Sequence, residues 1–376
     1  MPRRSDCQPE LNVGPSGGSG KASVGHPARY PRLSRNRRGR GGGSRPSSRE
    51  VYAAIDLGTN NCRLLIATPA EQGIRVVDAF SRIVRLGEGL SRHGVLSPAA
   101  MARTIDALKI CAAKLERRRV TRLRAIATEA CRRAANCSEF LERVRLETGI
   151  HLEIISNLEE ANLALFGCAP LFDRSVPHAL VFDIGGGSTE ISFLDVAAFP
   201  GKGTTNGSPE VVRASAHSIP LGVVTLAERH GGHHVASDTY ETMVTEVLEA
   251  ITPFETRHDL SALARSGNIQ MLGTSGTVTT LAGVHKRLPR YDRSRVDGSF
   301  MDFSVVREVS DRIITMSYEE RAAHPCIGEE RADLVVAGCA VLEAICRCWP
   351  VGRLRVADRG LREGMLFLLM RELGEA

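Results

Sequence analysis

The sequence predicts an α/β protein built from two related halves that face a cleft. Three observations predict it. A strand–turn–strand unit occurs twice, as "VYAAIDLGTNNCRLLIA" (Val51–Ala67) and "ALVFDIGGGSTEISFL" (Ala179–Leu194); in both, an apolar run leads through Asp, one apolar residue and Gly into a short polar tip. Strand-length apolar runs alternate with helix-period stretches along the rest of the chain. The 376 residues also exceed what one compact core holds, so two domains are expected.

In the repeat, Asp56 corresponds to Asp183 and Gly58 to Gly185. Each copy reads as a β-hairpin. Its tip offers backbone N–H groups for an anion and a carboxylate that can hold a cation beside it. The glycines are expected to let the backbone approach a phosphate closely and to take positive φ. Asp183 and Glu190 can bind Mg2+, directly or through water. A dinucleotide-binding fingerprint fails at this site, because Glu190 stands where the last Gly would fall and a strand follows instead of a helix.

The elements then follow in order. A helix is expected at Ser97–Arg118, a strand at Leu123–Ala127 and a helix at Ser138–Thr148, opening near Asn136 with Glu139 three residues on. The short strand "LEIIS" precedes a helix from Asn157. Ser156 and Glu159 have the spacing of a capping box, which gives Glu159 a backbone role and leaves Glu160 without one. After the second hairpin come a polar loop (Pro200–Pro209), a strand near Val211–Ile219 and helices near Asp238–Phe254. "IQMLGTSGTVTTLAG" (Ile269–Gly283) is a strand, a Gly-rich turn and a helix start. The N–H groups at that helix start form a second natural phosphate cradle. A helix near Arg331–Arg347, a strand Arg353–Ala357 and a helix Leu361–Leu373 complete the pattern.

The net charge of +6 is unevenly spread: residues 1–50 carry 11 Lys and Arg against 3 Asp and Glu, so the remainder is close to −2. The body is therefore not a basic nucleic-acid binder. The Arg/Gly/Ser/Pro-rich stretch before Val51 has almost no apolar periodicity and is expected to be disordered. Within it "SGGSGKAS" is not a P-loop, since Pro15 and Ala22 replace the required Gly and Ser/Thr. No signal peptide or membrane span is visible; Leu334–Ile345, interrupted by Glu343, fits a buried helix. Ten scattered cysteines without a C-x-x-C pair indicate reduced core thiols in a cytoplasmic protein. "RHGGHH" (Arg229–His234) reads as a loop, because its glycines provide no fixed scaffold for a metal. "HKRLPRYDRSRVDG" (His285–Gly298) is basic enough to serve as a polyanion track.

Seven motifs in order, "AIDLGTNN", "TEACRRAAN", "IISNLEEA", "DIGGGSTE", "LGTSGTVTT", "EERAD" and "DRGLREG", resemble those of the exopolyphosphatase and guanosine pentaphosphate phosphohydrolase (Ppx/GppA) family, over about residues 51–376. The resemblance implies an actin-like fold, two ribonuclease-H-like domains around a phosphate-binding cleft. Residues 51–175 would form domain I, with 358–376 returning to it, and residues 176–357 domain II. It further implies a cytoplasmic hydrolase of phosphoanhydrides, dependent on Mg2+ or another divalent cation and homodimeric, with no membrane or specific nucleic-acid partner. The leading expectation is an exopolyphosphatase that releases orthophosphate from the ends of inorganic polyphosphate; hydrolysis of pppGpp is the alternative, which shares the same chemistry. A kinase or a non-catalytic polyphosphate or alarmone sensor on the same fold would be other classes.

By the same resemblance Glu160 is the base that activates water. Arg132, between a strand and a helix, offers a bidentate phosphate contact. The phosphate-binding set is Gly58, Thr59, Asn60, Asn61, Gly185, Gly186, Gly187, Ser188, Thr189 and the turn Gly273, Thr274, Ser275, Gly276, Thr277. The metal candidates are Asp183 and Glu190, with Asp56 third. In "DRGLREG", Arg359 and Arg362 are expected to brace the hinge. The sequence departs from the family in two loops. Thr59 and Asn61 stand for two serines, and Asn157 stands where the family's Ser-Gly-x-Glu-Glu-Ala has Gly. The extra C-terminal helical module of long members is not seen, which removes the expectation of processive handling of long chains.

Overall fold

The computed structural model describes residues 50–71, 73–197 and 214–371. The Arg-rich stretch up to residue 49, the Pro200–Pro209 loop, the first part of the Val211–Ile219 strand and the end of the Leu361–Leu373 helix lie outside the described residues.

Two mixed sheets form the core. The first comprises β1 (Tyr52–Leu57), β2 (Asn61–Ala70), β3 (Gly73–Ile83), β4 (Arg122–Ala127) and β5 (Glu153–Ile154), in the order β3-β2-β1-β4-β5. The second comprises β6 (His178–Ile184), β7 (Thr189–Asp195), β8 (Ala214–Ile219), β9 (Ile269–Thr274), β10 (Phe300–Asp302) and β11 (Arg353–Ala357), in the order β10-β11-β9-β6-β7-β8. Setting β10 aside, the order is the same in both, and each begins with an antiparallel hairpin beside a parallel strand. The repeat read from the sequence is therefore a repeat of whole ribonuclease-H-like sheets, and the pair has the actin-like arrangement.

Helices cover the sheets: α1 (Pro98–Arg117), α2 (Glu129–Arg133), α3 (Cys137–Thr148), α4 (Asn157–Cys168), α5 (Val223–His230), α6 (Ser237–His258), α7 (Gly276–His285), α8 (Phe303–Thr315), α9 (Val335–Cys348) and α10 (Leu361–Arg371). Ser97 caps α1, its side chain accepting from the Ala100 N–H. Asn136 does not cap α3. Its amide clasps the backbone of Leu96 instead, at 2.8 and 3.0 Å. The apolar stretch Leu334–Ile345 is a core helix, as its composition demands; Glu343 is tolerated there because Tyr240 Oη donates to it at 2.6 Å and Arg347 pairs with it. Strand β3 and helices α2, α5 and α8 were not anticipated. Most of β3 is exposed or half-exposed and carries Arg75, Asp78 and Arg82, so it has no apolar alternation to read.

The last helix closes the first sheet from below. Met365, Leu366, Leu369 and Met370 pack with Tyr52, Ala54, Leu65 and Ala67 of β1 and β2 and with Leu163 and Ala164 of α4. Helices α4 and α10 cross through glycines. A methyl on Gly167 would lie 2.1 Å from the Gly360 carbonyl oxygen, and one on Gly364 2.0 Å from that of Leu163. Among the described residues no helix is long and apolar enough to cross a membrane.

Candidate active site

The tips of the β1–β2 and β6–β7 hairpins meet between the two sheets, over a cavity of about 120 Å3. Each tip is closed by its own hydrogen bond, Gly58 N to Asn61 O and Gly185 N to Ser188 O, both 2.9 Å. None of Gly58, Gly185, Gly186 and Gly187 takes positive φ, contrary to expectation. Gly185, Gly186 and Gly187 are required by close approach, whereas a methyl on Gly58 would meet nothing nearer than 3.8 Å. A methyl on Gly187 would stand 2.8 Å from Thr59 Oγ1 and 3.0 Å from Glu129 Cγ, and one on Gly186 3.1 Å from Thr59 Cβ. The two tips are in contact with each other, and only the absence of side chains permits it.

A third wall is the turn before α7. Ser275 has φ 113° and ψ 168°, a conformation that is almost confined to glycine and costs about 1–3 kcal/mol. Its Oγ is buried without a partner. The turn ends at Gly276 and Thr277, which line the cavity at the N-terminus of α7, where N–H groups lack helical acceptors.

Asp56, Asp183 and Glu160 line the cavity. Burial pushes the Asp183 carboxyl up to about 6, opposed by Arg63 and reinforced by Asp56. Burial likewise raises Asp56 against Arg63 and Arg362. Glu160 is held well above the ordinary range by burial and by Glu190, with Arg132 opposing. Burial takes Glu190 up to about 7, with the hydroxyls of Ser188 and Ser218 pulling the other way. Burial, more than any like charge, thus favours the protonated form of each of these groups. Magnesium is commonly held by one or two carboxylates plus substrate phosphate oxygens. Asp183 with Asp56, both on the cavity wall, fits that pattern, and Glu190 can join it only through Ser188 or a water. A protein-only cage is not built here: among the described residues no group of three or more His, Cys, Asp and Glu could hold an ion.

Two cations face the same cavity, and sequence reasoning assigned neither a role. Arg63 lies on β2 in register with Asp56 and reaches to within 3.8 Å of the position a methyl would take on Gly276. Arg331 makes one long contact, 3.4 Å to Thr280 Oγ1, and burial and Arg63 lower its pKa. Neither has a carboxylate partner within ion-pair distance among the described residues. The signal for Arg63 was a lone charge inside the apolar run "CRLLIA"; Arg331 sat in the quoted "EERAD" without a function.

Several expected roles need correction. Arg132 does not line the cavity. It donates to Glu160 Oε2 at 2.8 Å, to the Ile155 carbonyl at 3.0 Å and to Glu129 at 3.0 and 3.2 Å, so its fork is spent on protein acceptors. Glu159 does not complete a capping box: Ser156 Oγ accepts from the Glu159 N–H at 3.2 Å, but the Glu159 carboxylate pairs with Arg124. Thr189 is fully buried and turned away, donating to the Leu221 carbonyl at 2.7 Å. Gly273 packs on Phe182, and Thr274 Oγ1 donates to the Arg359 carbonyl at 2.8 Å. Glu190 lies behind Ser188 and not on the cavity wall. Arg293, counted in the basic track, is tied to Glu363 at 2.7 Å. Arg359 pairs with Asp297, in keeping with a brace, whereas Arg362 acts electrostatically on Asp56 and Asp183. Gly58, Thr59, Asn60, Asn61, Gly185, Gly186, Gly187, Ser188, Ser275, Gly276 and Thr277 all line the cavity. In "RHGGHH", Arg229 and His230 pair with Glu246 and His233 stacks on Tyr318.

The profile of the Ppx/GppA phosphatase family matches residues 65–373. The chain belongs to the Ppx/GppA phosphatase family. Exopolyphosphatase 2 of Mycobacterium tuberculosis (strain CDC 1551 / Oshkosh) is 33% identical over 311 residues, covering 78% of this chain and 89% of that protein. The Aquifex aeolicus Ppx/GppA family member, solved as a crystal structure, is 27% identical with a TM-score of 0.67, covering 87% of this chain and 99% of its own. An exopolyphosphatase from Cytophaga hutchinsonii superposes with a TM-score of 0.74 over 87% of this chain and 100% of its own; at 24% identity that likeness speaks for the fold.

Proposed function

We propose that this member of the Ppx/GppA family is an exopolyphosphatase, which hydrolyses the terminal phosphoanhydride bond of inorganic polyphosphate and releases orthophosphate. The observation that carries the reading is the pair of guanidiniums, Arg63 and Arg331, facing a small cavity without carboxylate partners among the described residues. Guanidiniums without an ion-pair contact beside unsatisfied N–H groups favour a multiply charged anion. The 33% identity to a protein named exopolyphosphatase selects polyphosphate among such anions.

The residues divide the work as follows. Arg63, Arg331 and the N–H groups of Gly276 and Thr277 hold the terminal phosphoryl group. Glu160 accepts a proton from water as the water oxygen bonds to phosphorus, and the bridging oxygen leaves with the shortened chain. A carboxylate whose pKa is raised towards the operating pH suits that task. Arg132 orients Glu160 from behind. Mg2+ held by Asp183 with Asp56, with Glu190 as an outer partner behind Ser188, would neutralise charge on the phosphate oxygens.

The test is phosphate release from polyphosphate, pppGpp and ATP in parallel, with and without Mg2+. Polyphosphate is expected to be the fastest substrate. Faster turnover of pppGpp would overturn the choice of substrate, and transfer to ADP would overturn hydrolysis.

A further inference from the structure

We infer that Asn157 and Ser218 are positioning residues for the site carboxylates, an inference that rests on the hydrolase reading above. Asn157 is the first residue of α4, and Glu160 lies one turn further on the same helix. Asn157 Nδ2 donates to Ser218 Oγ at 2.6 Å, across from the first sheet's helix to β8 of the second. Ser218 sits in register with Glu190 and donates to its Oε1 at 3.0 Å. Ser188 Oγ, on the cavity wall, donates to the same oxygen at 2.6 Å.

With Glu190 ionised, the directions of these bonds follow from proton count: a hydroxyl has one proton, and a carboxylate can only accept. Ser218 then spends its proton on Glu190, and the amide faces Ser218 with its NH2 group. The chain Asn157–Ser218–Glu190 therefore holds Oε1 in place, and with it the Ser188 hydroxyl on the cavity wall. One helix thus carries Glu160 directly and holds Glu190 through Ser218. That couples the spacing of the two carboxylates to a single rigid element.

The experiment uses Asn157→Asp, which keeps the shape and loses the donor, with Ser218→Ala and the conservative Ser218→Thr. Outer-shell partners of this kind are worth about 10-fold or more. Asn157→Asp and Ser218→Ala are each expected to lower kcat about 10-fold, with the polyphosphate KM within about twofold. Mg2+ affinity, measured by calorimetry without substrate, is expected to weaken in parallel. Ser218→Thr should restore both, and the Asn157→Asp/Ser218→Ala double variant should be no worse than either single one. An Asn157→Asp protein with unchanged kcat and Mg2+ affinity, or losses that simply add, would overturn the inference. So would a lowered melting temperature with kcat intact, which marks a structural role only. A wild-type protein that releases no phosphate from any substrate would instead sink the hydrolase reading, and calorimetry would still report on Asn157.

Discussion

At the scale of single residues the site separates two adjacent glutamates by environment. Glu160 is buried against Arg132 and faces the cavity, whereas the Glu159 side chain is 41% exposed and pairs with Arg124. Glu160→Gln is expected to lower turnover by about 10²–10⁴ while substrate still binds, since a single base supplies that much; single-turnover kinetics with a loss under tenfold would remove Glu160 from the role. Glu159→Gln is expected to leave kcat unchanged and to cost less than about 1 kcal/mol, because the pair is half in water. Chemical denaturation checks the second figure. The family resemblance pointed to Glu160, whereas the capping argument that set Glu159 aside gave that residue the wrong partner. Arg63 and Arg331 were not legible, because what distinguishes them is the absence of an ion-pair contact, and a sequence shows neighbours along the chain only. Conversely Arg132 looked free in sequence, and its three protein acceptors come from residues up to 28 positions away.

At the scale of elements the hairpin tips were readable and their packing was not. The apolar runs that become β1 and β6, buried at nearly every position, and the polar, Gly-containing tips announced two hairpins, but the contact between tips joins residues more than a hundred positions apart. That contact makes a sharp expectation. Gly187→Ala would press a methyl on Thr59 and Glu129, so it should lower activity by prising the tips apart, whereas Gly149→Ala, where a methyl meets nothing within 4 Å, should cost only the strain of its positive φ. Comparing kcat of the two variants at equal folded fraction decides it; equal kcat would show that tip contact is irrelevant to turnover. The basic segment after α7 is likewise narrower than its composition implied. With Arg293 committed to Glu363, neutralising Lys286, Arg287, Arg290 and Arg295 is the proper test of a polyanion track. Each is expected to raise KM for long chains modestly and to matter less as salt rises. A long-chain KM that is unchanged at low salt would dismiss the track.

At the scale of the whole molecule the site opposes folding. Asp183 and Glu190 are raised from the ordinary 3.8 and 4.5 to about 6 and about 7. A carboxylate that holds its proton longer in the folded chain than in the unfolded one contributes stability below the unfolded value, and loses it as pH rises through the folded value. The window therefore runs from about pH 4 to about pH 7. Relative to wild type, Asp183→Asn and Glu190→Gln are expected to gain melting temperature between pH 5 and pH 7.5 in the absence of divalent ions. A difference independent of pH would contradict the burial of these groups as its source. Active-site charge is commonly a stability cost of this kind.

The return of α10 to the first sheet also has a consequence for the order of events during synthesis. Tyr52, Ala54, Leu65 and Ala67 leave the ribosome early, yet the residues that cover them, Met365 to Met370, follow only about 300 residues later. At 5–20 residues per second the interval is roughly 15–60 s. For that time the nascent chain carries an apolar sheet face without the helix that covers it.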